Sequence, residues 1–299
     1  MIWFVINRLS GNGKGKKVWQ EVERALDRLG IEYGRTFTQK QGHAEEIARE
    51  LANKPGTTAI VAVGGDGTVH EVANGVAGTS VPVGCIPAGS GDDFARSLGY
   101  PLLWEGALER VLKLNSRRID AGLINGRLFA ISAGIGFDGE VAKLTNRSWY
   151  KRWFNRIRAG RISYVVTVLR LLITYKPCRV RLDVDGITSE HDGVWLMAIA
   201  NMPGYGGGMK ICPDAKDDDG WLHLCLVEGI SRMELLRFFP RVYDGTHVTH
   251  PAVRMLAGRK IRMESGTPMT IHMDGEFGGE TPAGTPVAIE VLPDRLLVI

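Results

Sequence analysis

Two patterns of apolar and polar residues divide the chain. As far as residue 115, short unbroken apolar runs alternate with stretches whose apolar positions recur three and four apart. Runs at 1–7, 33–38, 59–63 and 82–87 predict strands; periodic stretches at 18–29 and 42–52, and a third beginning at Val69, predict helices. A run that is apolar throughout suits a strand buried on both faces of a parallel sheet. The alternation predicts a doubly wound parallel α/β domain with its loops gathered at one edge.

After Arg117 the pattern changes. Runs at 119–124 and 128–132 flank Asn125-Gly126, the strongest short hairpin signal. A helical stretch over about 140–175 follows, then short strands at 180–184, 193–200, 222–227, 260–264, 269–273, 287–291 and 296–299. Short strands separated by turns predict an antiparallel β-sandwich-like or barrel-like domain.

The 299 residues favour two domains, drawn at 1–118 and 119–299, and 44% hydrophobic with 23% charged residues is an ordinary globular composition. Cys85, Cys178, Cys212 and Cys225 lie far apart without metal-ligand spacing and read as reduced thiols of a cytosolic protein. The apolar start is short and lacks a basic leader, so it reads as a strand rather than a signal peptide.

Charge is unevenly placed. Ten Lys or Arg and no acidic residue fall between 147 and 181; removing those ten from 37 leaves 27 basic against 33 acidic residues elsewhere. Trp149, Tyr150, Trp153, Phe154 and Tyr164 lie in this basic segment. Arginines with interfacial aromatics suit an anionic membrane surface, where each cation contributes about 1 kcal/mol. A solvated helical face fits the same residues. Arg161 and Arg170 interrupt its apolar runs, so it does not span a bilayer. No RNA or DNA module accompanies the charge, which sets nucleic acid aside as a partner.

The chemistry centres on Gly64-Gly65-Asp66-Gly67-Thr68, where an apolar run meets a helix start. Glycines there bring main-chain N–H groups close to an anion at a helix N-terminus. Thr68 and Glu71 have capping-box spacing, which places the helix start at Val69. Asp66 would repel a bare phosphate, and a divalent cation between them reconciles the two. The loop thus reads as a nucleotide phosphate site with magnesium. Two further loops, Asn7 to Lys17 and Ala88 to Arg96, lead from strand to helix through glycines and complete one nucleotide crevice. The first is neither a Walker A loop nor a dinucleotide fingerprint, since no Gly-Lys-Ser/Thr follows and position 16 is Lys.

Several motifs in order resemble the bacterial diacylglycerol kinase family of lipid kinases, relatives of sphingosine and ceramide kinases. They are Gly64-Gly65-Asp66-Gly67-Thr68 with Glu71 and Asn74-Gly75; Pro87 to Arg96; Gly206-Gly207-Gly208 with Pro213-Asp214-Ala215; Asp218-Asp219-Gly220; and Asp274-Gly275-Glu276. Asn7, Ser10-Gly11, and Thr38 with Gly42-His43-Ala44, also fit. The resemblance implies two domains, ATP bound in the crevice between them, and phosphorylation of a lipid hydroxyl. It assigns nucleotide contacts to Asn7, Ser10, Gly11, Thr38, Gly64, Gly65, Asp66, Gly67, Thr68, Glu71, Ser90 and Asp93. Asp92 stands where the family usually has Asn, and Asn7-Arg8 replaces a common Asn-Pro.

In this reading Asp66 and Asp93 hold the nucleotide-bound Mg2+; as plain structure they are turn-formers or caps. Glu276 is the general base, because a lipid hydroxyl is hardly ionised at neutral pH and must lose its proton as the bond to phosphorus forms. Asp274 joins it and Asp66 in the catalytic set. The same Asp-Gly-Glu also reads as a hairpin turn with an exposed Glu. Three adjacent carboxylates at 217–219 read either as a solvated acidic turn or, by similarity, as a second magnesium site of the Asp219 side chain and the Lys216 and Trp221 carbonyls. His247 and His250 lack a third zinc ligand and read as hydrogen-bonded structural histidines.

The expectation is an ATP- and magnesium-dependent lipid kinase acting on a diacylglycerol-like alcohol, cytoplasmic and peripheral at the inner membrane face. A homodimer is among the assemblies the resemblance implies. An NAD kinase-like enzyme shares the Gly-Gly-Asp-Gly-Thr turn, but the later Asn-Glu motif expected of it is missing. A nucleotide- or lipid-binding regulator without catalysis is the remaining alternative.

Overall fold

A computed structural model describes residues 1–147 and 170–299, which form two compact units: 1–121 with 292–299, and 122–291.

The first unit is built on a parallel sheet of β1 (Ile2–Ile6), β2 (Tyr33–Phe37), β3 (Ala59–Gly64) and β4 (Val83–Pro87), in the order β2-β1-β3-β4. Every residue of β3 and β4 is buried, as their unbroken apolar character requires. Five helices alternate with the strands: α1 (Ser10–Leu29), α2 (His43–Ala52), α3 (Asp66–Val76), α4 (Asp93–Ser97) and α5 (Trp104–Lys113). Val18, Trp19, Val22 and Leu26 form the buried stripe of α1, and Trp19 packs on Phe4 of β1 with ring centroids 5.3 Å apart. Gly30, left-handed at φ 65°, ends α1 with its N–H on the Asp27 carbonyl.

The helix expected from Val69 begins instead at Asp66, and the capping box is not made. Thr68 Oγ1 accepts from the Asn7 amide at 3.2 Å. Glu71 turns to a neighbouring helix: its carboxylate accepts from the N–H groups of Gly42 (2.8 Å) and Ala44 (3.0 Å) at the start of α2.

β5 (Arg117–Ile124) leads into the second unit and forms the expected hairpin with β6 (Arg127–Phe129). Asn125 and Gly126 take φ of 50° and 74°, as a two-residue turn of the I′ type demands. The strand expected at 128–132 divides into β6 and β7 (Ser132–Gly136), and α6 (Phe137–Arg147) begins three residues earlier than expected. Most of the basic segment, with its five aromatics, lies outside the described residues.

β8 (Cys178–Val184) and β9 (Ile187–Ala200) make a second hairpin about Asp185-Gly186, so the strand expected from residue 193 starts six residues sooner. A bulge opposite Arg179 and a left-handed Gly193 bend β9. Its first half pairs with β8; its second half pairs with β7 on one side and β10 (Leu222–Glu228) on the other. One strand thus serves two antiparallel layers, and Leu182, Met197, Ile199, Leu224, Ile261 and Ile271 belong to the buried core of the unit.

After β10 come a short helix α7 (Arg232–Phe238), then β11 (Val253–Gly258), β12 (Lys260–Ser265), β13 (Thr270–Met273), β14 (Glu276–Glu280) and β15 (Val287–Val298). The strands expected at 287–291 and 296–299 are one element, β15, continuing through Pro293 with Asp294 left-handed at φ 52°. Its start pairs with β12, while Val298 pairs in parallel with Val83 of β4 and adds the chain's last residues to the first sheet. Among the described residues no helix is long and apolar enough to cross a membrane.

Candidate active site

In the first unit, the loops that follow β1, β3 and β4 meet at the strands' C-terminal ends. Gly11, Asn12 and Gly13 all take left-handed φ, so the chain curls tightly before α1 proceeds. A Cβ on Gly11 would lie 2.5 Å from the Ala88 carbonyl oxygen, which makes glycine obligatory there. Ser10 Oγ accepts from the Gly65 N–H at 3.3 Å, and the Asn7 to Thr68 bond ties the same two loops again. Gly65 and Gly89 face each other so closely that a Cβ on Gly89 would come within 2.5 Å of Gly65 Cα.

These contacts bring two carboxylates to one place. A Cβ built on Gly91 would lie 3.1 Å from Asp66 Oδ2 and 3.2 Å from Asp93 Oδ2, so both oxygens converge on the same bare stretch of main chain. Asp66 Oδ1 accepts from the Phe94 N–H at 3.0 Å, which fixes the carboxylate at the start of α4. Like charges at such a convergence favour a cation between them. The donor set therefore fits a divalent ion better than a naked anion.

Asp92 takes a left-handed backbone, a conformation Asn and Asp tolerate, and its Oδ1 accepts from the Gly89 N–H at 2.8 Å. Burial pushes its carboxyl above the ordinary range, against the Gly89 N–H, Lys14 and Arg96. Lys14 Nζ stands 3.8 Å from Asp92 Oδ2, and Arg96 donates to the Gly91 carbonyl.

Of the expected nucleotide contacts, Asn7, Ser10, Gly11, Gly64, Gly65, Asp66, Gly67, Thr68, Ser90 and Asp93 belong to these three loops or the helix starts that follow them. Thr38 follows β2, where its N–H donates to the Ile6 carbonyl. Glu71 differs, since its carboxylate closes the N-terminus of α2.

In the second unit, Asp274 and Gly275 form a left-handed two-residue turn between β13 and β14, and Glu276 is the first residue of β14, partly exposed. Asp274 is buried, and three consecutive main-chain N–H groups converge on its carboxylate: Ala130 at 3.0 Å, Ile131 at 2.8 Å and Ser132 at 3.1 Å. Such a carboxylate is a fixed brace for the turn that carries Glu276.

Two residues before Asp274 lies a cluster the sequence did not reveal. His272 Nε2 stands 2.8 Å from Asp138 Oδ2, and the Tyr205 hydroxyl donates to the same oxygen. Burial works against charge on Asp138, but the His272 ring and the Tyr205 hydroxyl outweigh it and hold the carboxyl below its ordinary range. Gly134 leaves the room, since a Cβ there would lie 2.2 Å from His272 Nε2. The run Gly134-Ile135-Gly136 before a helix repeats the glycine grammar of the first domain and was the available signal.

Asp138 and Tyr205 are among the residues lining a pocket within the second unit. Its remaining surface is almost wholly apolar, with Val141, Leu196, Met209, Leu235 and Phe238 prominent. α7 supplies part of this lining; its Ser231-to-Glu234 cap, Glu234 N–H on Ser231 Oγ at 3.3 Å, is a readable signature.

At the acidic loop, Asp219 Oδ1 accepts from the Trp221 N–H at 2.9 Å and Oδ2 lies 3.3 Å from His223 Nε2, while Lys216 is exposed. The turn has its own internal bracing. Among the described residues no group of three or more His, Cys, Asp or Glu side chains is arranged to hold a metal.

A family model for the diacylglycerol kinase catalytic domain matches residues 1–124, and one for the YegS C-terminal NAD kinase beta sandwich-like domain matches residues 131–299. The chain is 32% identical to a diacylglycerol kinase of Mycobacterium tuberculosis strain H37Rv over 298 residues, 97% of this chain and 94% of that one. It is 30% identical to the diacylglycerol kinase of Staphylococcus aureus strain MRSA252, covering 93% and 87% of the two chains. A solved diacylglycerol kinase structure from Bacillus anthracis strain Sterne shares the fold at a TM-score of 0.72 and 21% identity, covering 100% of this chain and 96% of that one.

Proposed function

The chain belongs to the diacylglycerol kinase family of lipid kinases, and we propose on that premise that it transfers the γ-phosphate of ATP to the hydroxyl of a diacylglycerol-like lipid. The observation that carries the acceptor class is the almost wholly apolar pocket of the second unit. A pocket so lined suits an acyl chain and offers little to the many polar groups of a nucleotide acceptor. Its Asp138 wall is bonded to His272 of β13, the strand whose turn delivers Glu276.

In the proposed reaction the three glycine loops hold the triphosphate by main-chain N–H groups, with Lys14 beside them. Asp66 and Asp93 would hold magnesium, which spreads the charge of the transferred group when bound. Glu276 accepts the proton of the lipid hydroxyl as its oxygen bonds to the γ-phosphorus, and the bond from phosphorus to the β–γ bridging oxygen breaks, leaving ADP. Asp274 positions the hairpin. No step passes through a cation at 216–221. The basic segment, with its interfacial aromatics, favours work at an anionic lipid surface.

The test is transfer of labelled γ-phosphate to diacylglycerol in mixed micelles by the wild type and by Glu276→Gln. Wild-type transfer should fall by about 10²- to 10⁴-fold in the variant, the usual worth of a positioned base. Equal rates would remove Glu276 from the chemistry, and no transfer to any lipid alcohol would remove the acceptor class.

A further inference from the structure

β14 carries Glu276 at its first position and is weakly held by its own sheet. It is the last strand on one side of the sheet, bonded along one edge to β13, and that pairing slips register between Ile271 and His272. Gly278 and Gly279 lie in its middle, and Gly279 is left-handed at φ 104°. An edge strand with a bulge and a glycine pair yields easily to displacement. Displacement matters here, because a reacting group misplaced by about 1 Å can lose 10²-fold in rate.

α6 lies across this hairpin. Gly139 sits so close to β13 that a Cβ there would come 2.1 Å from the Thr270 carbonyl oxygen. Asp138 meets His272, and the Thr270 hydroxyl donates to the Glu140 carboxylate. Three residues on, Lys143 reaches β14 itself. Its Nζ is 2.7 Å from Glu280 Oε1, 3.6 Å from Glu140 Oε1 and 5.6 Å from the centre of the Phe277 ring. The ammonium thus engages the last residue of β14 and the immediate neighbour of Glu276. The Lys143 side chain is 20% exposed against 49% for Glu280, so the lysine is the enclosed member of the pair. Phe137, Asp138 and Val141 of the same helix line the apolar pocket. α6 therefore joins the pocket wall to the strand that bears the base, with Lys143 as its link to β14.

We propose that Lys143 is a positioning residue for phosphoryl transfer: it straps β14 to α6 and so fixes Glu276 relative to the acceptor held in the pocket. The proposal rests on the lipid-kinase reading above, with Glu276 as its base. Lys143 touches neither substrate in this account and acts through Glu276 alone.

The experiment is a double-mutant cycle on transfer of labelled γ-phosphate to diacylglycerol in mixed micelles, with single-turnover rates for the slow variants. Lys143→Met keeps the apolar stem and removes the charge. It should lower kcat by about tenfold, the population shift that one hydrogen bond between charged groups supports. The KM for ATP should stay within about twofold and the pH–rate profile should keep its shape, because the base remains and only its placement suffers. Lys143→Arg, which restores the charge and a donor, should recover most of the loss. Glu280→Gln leaves the lysine and neutralises its partner; it should show part of the same loss, and it carries the test if Lys143→Met does not fold. In a Glu276→Gln background, Lys143→Met should cost less than about twofold further, since the group it positions is already gone. Unchanged kcat in the folded variants, an equal loss with and without Glu276, or a raised KM for ATP at unchanged kcat overturns the proposal while leaving lipid phosphorylation intact. Equal rates for wild type and Glu276→Gln, or no transfer to lipid at all, overturn the underlying reading as well.

Discussion

Asp274 and Ser132 are bonded reciprocally: the Asp274 N–H donates to the Ser132 carbonyl at 2.8 Å, and the Ser132 N–H donates to Asp274 Oδ1 at 3.1 Å. With Ala130 and Ile131 completing the grip, the side chain locks the turn two residues before Glu276. Its role is positional, and this separates it from its neighbour in a measurable way. Asp274→Asn turns an N–H₂ toward the Ala130 N–H and should destabilise the protein by about 1–3 kcal/mol in urea denaturation. It should also lower kcat while retaining the acidic limb of the pH–rate profile. Glu276→Gln should lose that limb.

Asp66 and Asp93 converge on Gly91 and act as one unit in the proposed site. Asp66→Asn and Asp93→Asn should each reduce phosphoryl transfer by about 10²-fold or more. The double variant should lose far less than the product of the two, because either change already dismantles the shared site. Steady-state rates over a magnesium titration check this; full additivity would show that the two carboxylates act separately.

Glu71 holds the start of α2 through Gly42 and Ala44, across 29 and 27 residues of chain. Glu71→Ala should cost about 1–3 kcal/mol of stability, since two N–H donors lose a charged acceptor. ATP affinity, measured on the folded variant at low temperature, should change less than threefold. A large loss of affinity at unchanged stability would return Glu71 to the nucleotide contacts.

Tyr205 and His272 hold the Asp138 carboxyl below its ordinary range despite burial. A depressed folded-state value means that the stabilisation is fully present above the unfolded Asp value of about 3.9 and is lost as pH falls through the lower, folded value. Tyr205→Phe removes one donor to a charged acceptor and should cost about 1.5–3 kcal/mol at pH 7. The penalty should hold down to about pH 4 and shrink below it, as pH falls toward the lowered folded-state value at which the wild-type carboxylate also takes its proton. Urea midpoints at pH 7, 5 and 3.5 give the comparison.

Local chemistry made part of this molecule legible. The unbroken apolar run at 59–63 announces a doubly buried strand, and Asn125-Gly126 and Asp274-Gly275 announce their turns because both residues of each pair tolerate left-handed backbone. Features built from distant parts were not legible. The grip of Asp274 reaches back 142 to 144 residues, and the cavity draws its wall from α6, β9, β10, α7 and the segments between. β14 went unnoticed because Glu276-Phe277-Gly278-Gly279-Glu280 has neither alternation nor branched residues, and its pairing with β13 is imposed by the turn. Pro293 and Asp294 read as a break in β15, yet the Asp294 N–H is received by the Asp120 carboxylate and the strand continues.

The return of residues 292–299 to the first sheet has a practical bearing on dissection. A fragment cut after Ala121 would leave the edge of β4 without Val298 and Ile299 and deprive the Tyr100 hydroxyl of the Ile299 carbonyl it meets at 2.6 Å. An exposed strand edge invites self-association. A well-behaved nucleotide-binding half therefore has to bring its missing ribbon along, tethered to the fragment or added as a peptide, because the unit is assembled from both extremities of the polypeptide.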